Sequence, residues 1–307
     1  RLPGLAFTSY FAFAWHAPLA KACFTLHLDP ATPVRWVLHP GGEGPLPAEA
    51  QREGHVEWTL LAPPRFEPEP NVPGHHWHWP LLEISGWESW QAVATVVAAL
   101  WDEALTSDAA DVGTEAARLA ADVSPAEAVE NAIRFVQEDV RYLAVDFGHG
   151  AGLLPNAAGT VLRRRFGDCK DKTVLLTALL RALGVGARPM LVASHWRAAV
   201  ARLLPAAYAF DHVIVAFEWE GARCFVDPTA IGQRGTLAQR VPPPFGVGLE
   251  IAPTSTALVD LPAGPPSTLT LTETFELDRR GKGEIRQTLE VLGSFADDLR
   301  ATLLRDG

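Results

Sequence analysis

Apolar and polar residues alternate with period two along KACFTLHLD (residues 21–29) and HVEWTLL (55–61), the signature of strands with one buried face. HPGGEGPLP (39–47) and APPRFEPEPNVPG (62–74) interrupt the alternation with turn-forming residues. Residues 1 to about 80 are therefore expected to be β structure separated by turns. Along SGWESWQAVATVVAALWDEAL (85–105) the period lengthens to that of a helix, with Ser85 or Ser89 available as its cap. SPAEAVENAIRFVQEDV (124–140) predicts a second helix. Ser124 caps it, Pro125 suits its first turn and Glu127 completes a capping box.

RYLAV (141–145) reads as a short strand or helix end, DFGHGAGLLPNAAG (146–159) as a glycine-rich loop, and TVLRRRFGD (160–168) leads to a cysteine. The next helix runs through CKDKTVLLTALLRAL: Asp168 caps it, Leu175, Leu176, Leu179, Leu180 and Leu183 form its apolar stripe, and Gly184 stops it. ARPMLVAS (187–194) and DHVIVAFEWEGARCFVDPT (211–229) are strands, the second a hairpin turning at Glu220-Gly221. A loop-rich stretch (241–268) precedes another hairpin pattern, TLTLTETFELDRRGKGEIRQTLEVLG, expected to turn at Gly281-Lys282-Gly283. The pattern divides the chain into a β-rich part (1–84, expected to be truncated at its start), a mixed core (85–262) and the start of a C-terminal β domain (263–307).

Composition narrows the class. The 307 residues are 48% hydrophobic and 20% charged, a globular balance with room for two or three domains. A net charge of −10 leaves no basic stripe for nucleic acid. No apolar run approaches the roughly 20 residues of a membrane span. The opening RLPGLAFTSYFAFAW has no leading Met and no cleavage site, so the chain is expected to begin inside a longer protein. A signal for export to the periplasm would lie in that missing part. Cys23, Cys169 and Cys224 are odd in number and contain no CxxC pair, so neither a disulfide framework nor a zinc knuckle is expected.

Of the three thiols, Cys169 occupies a special position, the first turn of a helix. Unpaired N–H groups and the positive end of the helix dipole stabilise a thiolate there. Lys170, Lys172 and Arg163 to Arg165 add positive charge, or are a solvated face. Cys224 alternates within its hairpin and reads as core. Among ten histidines, His212 opens a strand whose hairpin partner ends in Asp227; a two-residue turn sets His212 opposite Thr229 with Asp227 its same-face diagonal neighbour. His75, His76 and His78 in PGHHWHWP (73–80) lack a carboxylate or thiol in register for a metal. That stretch, with Trp77 and Trp79, is either a recognition loop at a cleft rim or a clamp between domains. GHGAG (148–152) and ALGVGARP (182–189) are too short or wrongly placed for phosphate loops, and no calcium loop is present.

GDCKDK, DHVIV and VDPT together resemble the core of the transglutaminase-like superfamily, of papain-like cysteine fold, in its bacterial branch. FVQEDVRYLAV and LLPNAAGTVLRRRFGDCKDK extend the resemblance, which is strong across about residues 125 to 230 and fainter elsewhere. It implies an α+β architecture with the cysteine helix packed on an antiparallel sheet. It also implies Cys169 as nucleophile, His212 as general base and acid, and Asp227 as the group that orients His212. The Cys169 backbone N–H is the expected oxyanion donor; Gln137 is either a second donor or, as its helical context favours, a structural residue. The implied chemistry is acyl transfer on amide or peptide bonds through a thioester, a protease or amidase before a transglutaminase, with protein or peptide as substrate and no metal or organic cofactor. The alternatives are a binding or scaffolding module that retains the fold, and an arylamine-type acetyltransferase.

Overall fold

The computed structural model describes residues 4–42, 44–67, 72, 79–143 and 152–306. In the first part, β2 (Lys21–His27) pairs antiparallel with β5 (His55–Leu61), which also pairs with β4 (Ala48–Arg52). A second sheet has β6 (Leu81–Ser85) between β1 (Thr8–Ala12) and β3 (Arg35–His39). The alternation read in the sequence is the burial pattern: Ala22, Leu26, Val56, Trp58 and Leu60 turn inward and meet Phe13, Leu82 and Ile84 of the other sheet. All five residues of β6 are buried because it is covered on both faces. Leu82 and Ile84 face the neighbouring sheet. On the other side Glu83 accepts from the Leu204 N–H (3.0 Å) and Ser85 donates to the Pro205 carbonyl (2.5 Å).

Three helices follow. Ser89, not Ser85, caps α1 (Trp90–Thr106), accepting from the Ala92 N–H. After α2 (Ala109–Leu119), α3 (Pro125–Arg134) starts on the expected Ser124–Glu127 capping box and runs into a π-helical turn, Phe135–Asp139. The two-residue strand β7 (Arg141–Tyr142) pairs in parallel with β8 (Phe166–Gly167), which lies between α4 (Ala158–Arg164) and α5 (Cys169–Ala182). α5 is the centre of the core. It packs against α1 to α4 and against the sheet, so every residue from Asp171 to Leu180 is buried, charged ones included. Gly184, at φ +82°, ends it as expected.

The core sheet is antiparallel throughout, in the order β11 (Ala222–Val226), β10 (His212–Trp219), β9 (Arg188–Val192), β12 (Val247–Glu250), β13 (Val259–Asp260). One face (Leu191, Val213, Val215, Phe217, Val226, Leu249) meets the helices. The other (Met190, Val192, Ile214, Ala216, Phe225) packs with Leu261. Glu220 and Gly221 have φ of 49° and 80°, the left-handed pair of a two-residue hairpin turn whose twist suits the strands.

The last hairpin, β14 (Thr268–Leu277) and β15 (Gly283–Leu292), precedes α6 (Ser294–Asp306). Its turn spans 278–282 and not 281–283, because the Asp278 carboxylate accepts from the Arg280 and Lys282 N–H groups and leaves Gly283 paired with Leu277. The architecture is the expected α+β fold: a cysteine helix on an antiparallel sheet, β-rich before it and a hairpin after it. Among the described residues no helix is long and apolar enough to cross a membrane.

Candidate active site

Asp168 fixes the start of the cysteine helix. Its carboxylate accepts from the N–H groups of Lys170 (2.9 Å) and Asp171 (3.1 Å), and Asp171 returns the contact to the Asp168 N–H (3.4 Å). Asp171 is itself buried, held by the Asn156 N–H and side chain and ion-paired with Arg164. Gly167 makes room for this: a Cβ there would stand 2.5 Å from that of Asp171. Cys169 is thus the first helical residue, half-buried, with its N–H among those that no intrahelical carbonyl can satisfy.

The other two groups come from the hairpin of β10 and β11. Thr173, one turn beyond Cys169, donates to the Val213 carbonyl (3.1 Å) and sets the height of α5 on β10. The strand register Trp219↔Ala222 to Val215↔Val226 is that of the expected two-residue turn. It brings Asp227 Oδ2 to 2.8 Å from His212 Nε2. The second oxygen, Oδ1, accepts from both the N–H (2.8 Å) and the hydroxyl (2.7 Å) of Thr229, so the Asp-Pro-Thr turn locks the carboxylate through its own backbone. The Phe245 ring lies 5.4 Å from the imidazole.

These contacts set the charges. Burial disfavours a charged imidazole, yet hydrogen bonds to Asp227 and Cys169, and the charges of both, outweigh it and raise His212 from 6.5 to about 10. Burial likewise opposes the Asp227 carboxylate, but the His212 hydrogen bond and charge and the two bonds from Thr229 hold it below the usual carboxylate range. The imidazole is thus tied to Asp227 at 2.8 Å, and the nearby Cys169 helps to hold it protonated.

Cys169 and His212 open into a cavity of about 100 Å³ walled by Trp101, Leu153, Lys170 and Phe210. Trp101 donates to the Leu153 carbonyl (2.9 Å) and fixes that wall. Cavities of about 300 Å³ lie elsewhere, one along the edge strand β11 and one between β1, β6 and Trp196. Volume does not mark this site; the chemistry of its lining does.

Gln137 is the correction. Both N–H groups of its side-chain amide are committed, to the Asp227 carbonyl (2.9 Å) and the Gln233 side chain (3.2 Å), so none is left for an oxyanion. It lies in the π-helical turn and stands behind Asp227. Thr173, Thr229, Asn156, Phe245 and the fully buried Lys172 were not singled out as site residues in the sequence. Only Thr229 had a local signal, the Asp-Pro-Thr turn. His75, His76, Trp77 and His78 lie outside the described residues, among which no group of three metal-binding side chains converges. Trp79 packs edge-on against Phe66, with ring centroids 4.2 Å apart.

Comparison with known proteins gives a family for the core. Residues 115–219 match the model of the transglutaminase-like superfamily. No curated protein matches the chain. A solved structure titled "a putative protease" from Parabacteroides distasonis superposes with a TM-score of 0.63 at 19% identity, over 86% of this chain and 50% of that one. The chain thus spans half the length of that protein. A second, "a putative cysteine protease" from Cytophaga hutchinsonii, covers 94% of this chain and 86% of its own, at 12% identity and a TM-score of only 0.34, too low to bear on the fold.

Proposed function

Because the chain carries a transglutaminase-like core, we propose that it cleaves amide or peptide bonds by cysteine-dependent acyl transfer. The observation that carries this is the grouping of a thiol, an imidazole and a carboxylate: Cys169 and His212 line one cavity, and Asp227 holds His212 from 2.8 Å. The Cys169 thiolate attacks the carbonyl carbon. The oxyanion that forms takes a hydrogen bond from the Cys169 N–H at the helix start. His212, held as imidazolium by Asp227, gives its proton to the leaving amine, and a thioester remains. His212 then takes a proton from water, the hydroxide oxygen bonds to the acyl carbon, and the C–S bond breaks. Carboxylic acid leaves, and thiolate and imidazolium are restored.

Water is the favoured acceptor. The cavity, about 100 Å³, holds little more than the scissile group, which suits an extended chain lying across the opening and does not set apart a dry amine site. The two flanking parts, residues 1–84 and 263–307, supply none of the three groups. They position or cover the cleft, and the second opens a further β unit, in keeping with its bare apolar face. The test is a screen of peptide, glutamine-amide and amine-acceptor substrates against the protein and its Cys169→Ala variant. Hydrolysis that disappears in the variant supports the reading. Amine incorporation makes it a transferase. Turnover that survives Cys169→Ala overturns it.

A further inference from the structure

We propose that Lys172, the second lysine of GDCKDK, is a positioning residue for the triad: its ammonium anchors the π-helical turn, and through Gln137 that turn fixes Asp227. The proposal rests on the triad reading above. Lys172 is completely buried, at 0% exposure, in a helix where threonine, valine and leucine follow it. Burying an ammonium costs several kcal/mol unless its hydrogen bonds are met, and a leucine or methionine would fill the space without that cost. The compensation is specific. Lys172 Nζ donates to the carbonyls of Val140 (2.8 Å) and Gln137 (3.3 Å), at the C-terminal end of the π-helical turn. Carbonyls there lack helical partners and carry partial negative charge.

The same Gln137 hands the constraint on. Its amide donates to the Asp227 carbonyl (2.9 Å), its carbonyl oxygen accepts from Arg240 (3.5 Å), and Asp227 meets His212 at 2.8 Å. Cys169 and Lys172 are three residues apart on α5. One rigid helix therefore holds both ends of the triad, the nucleophile directly and the carboxylate through Lys172 and Gln137. Burial lowers Lys172 to about 8, against the pull of the Asp227 charge, so the anchor is cationic at neutral pH.

The experiment compares Lys172→Met and Gln137→Leu in the full chain. The readout is the rate of Cys169 alkylation by iodoacetamide against pH, by mass spectrometry, with exposed Cys23 as internal control. Other titratable groups around the thiol and imidazole are Tyr142, Asp168, Lys170, Asp211 and Asp227. They are unchanged in both variants. Losing the Lys172 charge itself raises the thiol midpoint, because the imidazolium is charged before and after the thiol gives up its proton. Gln137→Leu removes no charge, so its shift reports positioning alone. Both variants should raise the pH midpoint for Cys169 by about one unit, roughly tenfold in rate below it, with Cys23 unmoved. Gln137→Leu keeps the backbone carbonyl that Lys172 holds, so it carries the test if Lys172→Met does not fold. A wild-type profile in Gln137→Leu overturns the proposal, whether or not Lys172→Met shifts. A wild-type protein whose Cys169 reacts no faster than Cys23 overturns the triad reading itself.

Discussion

Two hairpins, β10–β11 and β14–β15, differ already in their sequences: β10 carries an unbroken apolar run, VIVAF (213–217), whereas TLTLTETFEL in β14 alternates apolar and polar residues. The first lies inside a five-stranded sheet, and residues 213–217 are buried. The second stands apart as a two-stranded ribbon, exposed along nearly its whole length. Its register sets Leu269, Leu271, Phe275 and Leu277 on one face with Leu289 and Ile285, and that face is open to solvent. The difference bears on where the proposed chemistry lies. A carboxylate and an imidazole held at 2.8 Å need strands that cannot shift, and packing on both faces provides this for His212 and Asp227. A two-stranded ribbon with an uncovered face has no such support.

The comparison predicts the largest contrast in catalysis. Asp227→Asn, just past the end of β11, should keep the fold and cut turnover by about 10⁴-fold, the loss known for the orienting carboxylate of serine enzymes. Glu276→Gln in β14, the same chemical change in the bare ribbon, should leave turnover unchanged. Steady-state kinetics on both variants decide it, and equal effects would dissolve the distinction.

Reactivity comes next. Near pH 6, iodoacetamide should modify Cys169 well before exposed Cys23 or Cys224, whose thiol burial pushes up. Peptide mass spectrometry after timed quenching ranks the three. Cys169 in last place would leave the inner hairpin without a nucleophile to serve.

Stability should separate the hairpins by a smaller margin. Ile214→Ala removes a fully buried side chain from β10 and should cost about 2–5 kcal/mol. Leu271→Ala, on the open face of β14, should stay within about 0.5 kcal/mol. Urea unfolding of each variant measures both.

The smallest effect is a pH dependence. His212 is raised from 6.5 to about 10 in the folded protein, so the stability it gains from Asp227 is complete below pH 6.5 and fades as pH rises toward 10. The stability difference between wild type and His212→Asn, followed by denaturant titration, should shrink across that window. A difference that grows with pH would contradict a charged His212.

Sequence alone determined the features whose cause is local. Asp168 and Ser124 cap because a side-chain oxygen reaches N–H groups two or three residues on, and Glu220-Gly221 turns because both residues take positive φ. The two-residue turn also set the register that joins His212 to Asp227. The roles of Cys169, His212 and Asp227 were legible only through resemblance, since cysteine, histidine and aspartate at such places are common. Tertiary structure decided the rest. Gln137 donates to the carbonyl of Asp227 from a distant part of the chain, a contact that no local pattern registers. Lys172 read in the sequence either as positive charge near the thiol or as part of a solvated face. It is buried because α1 to α4 and the sheet enclose α5 on every side, and burial belongs to the neighbours a helix meets and not to the helix's own sequence.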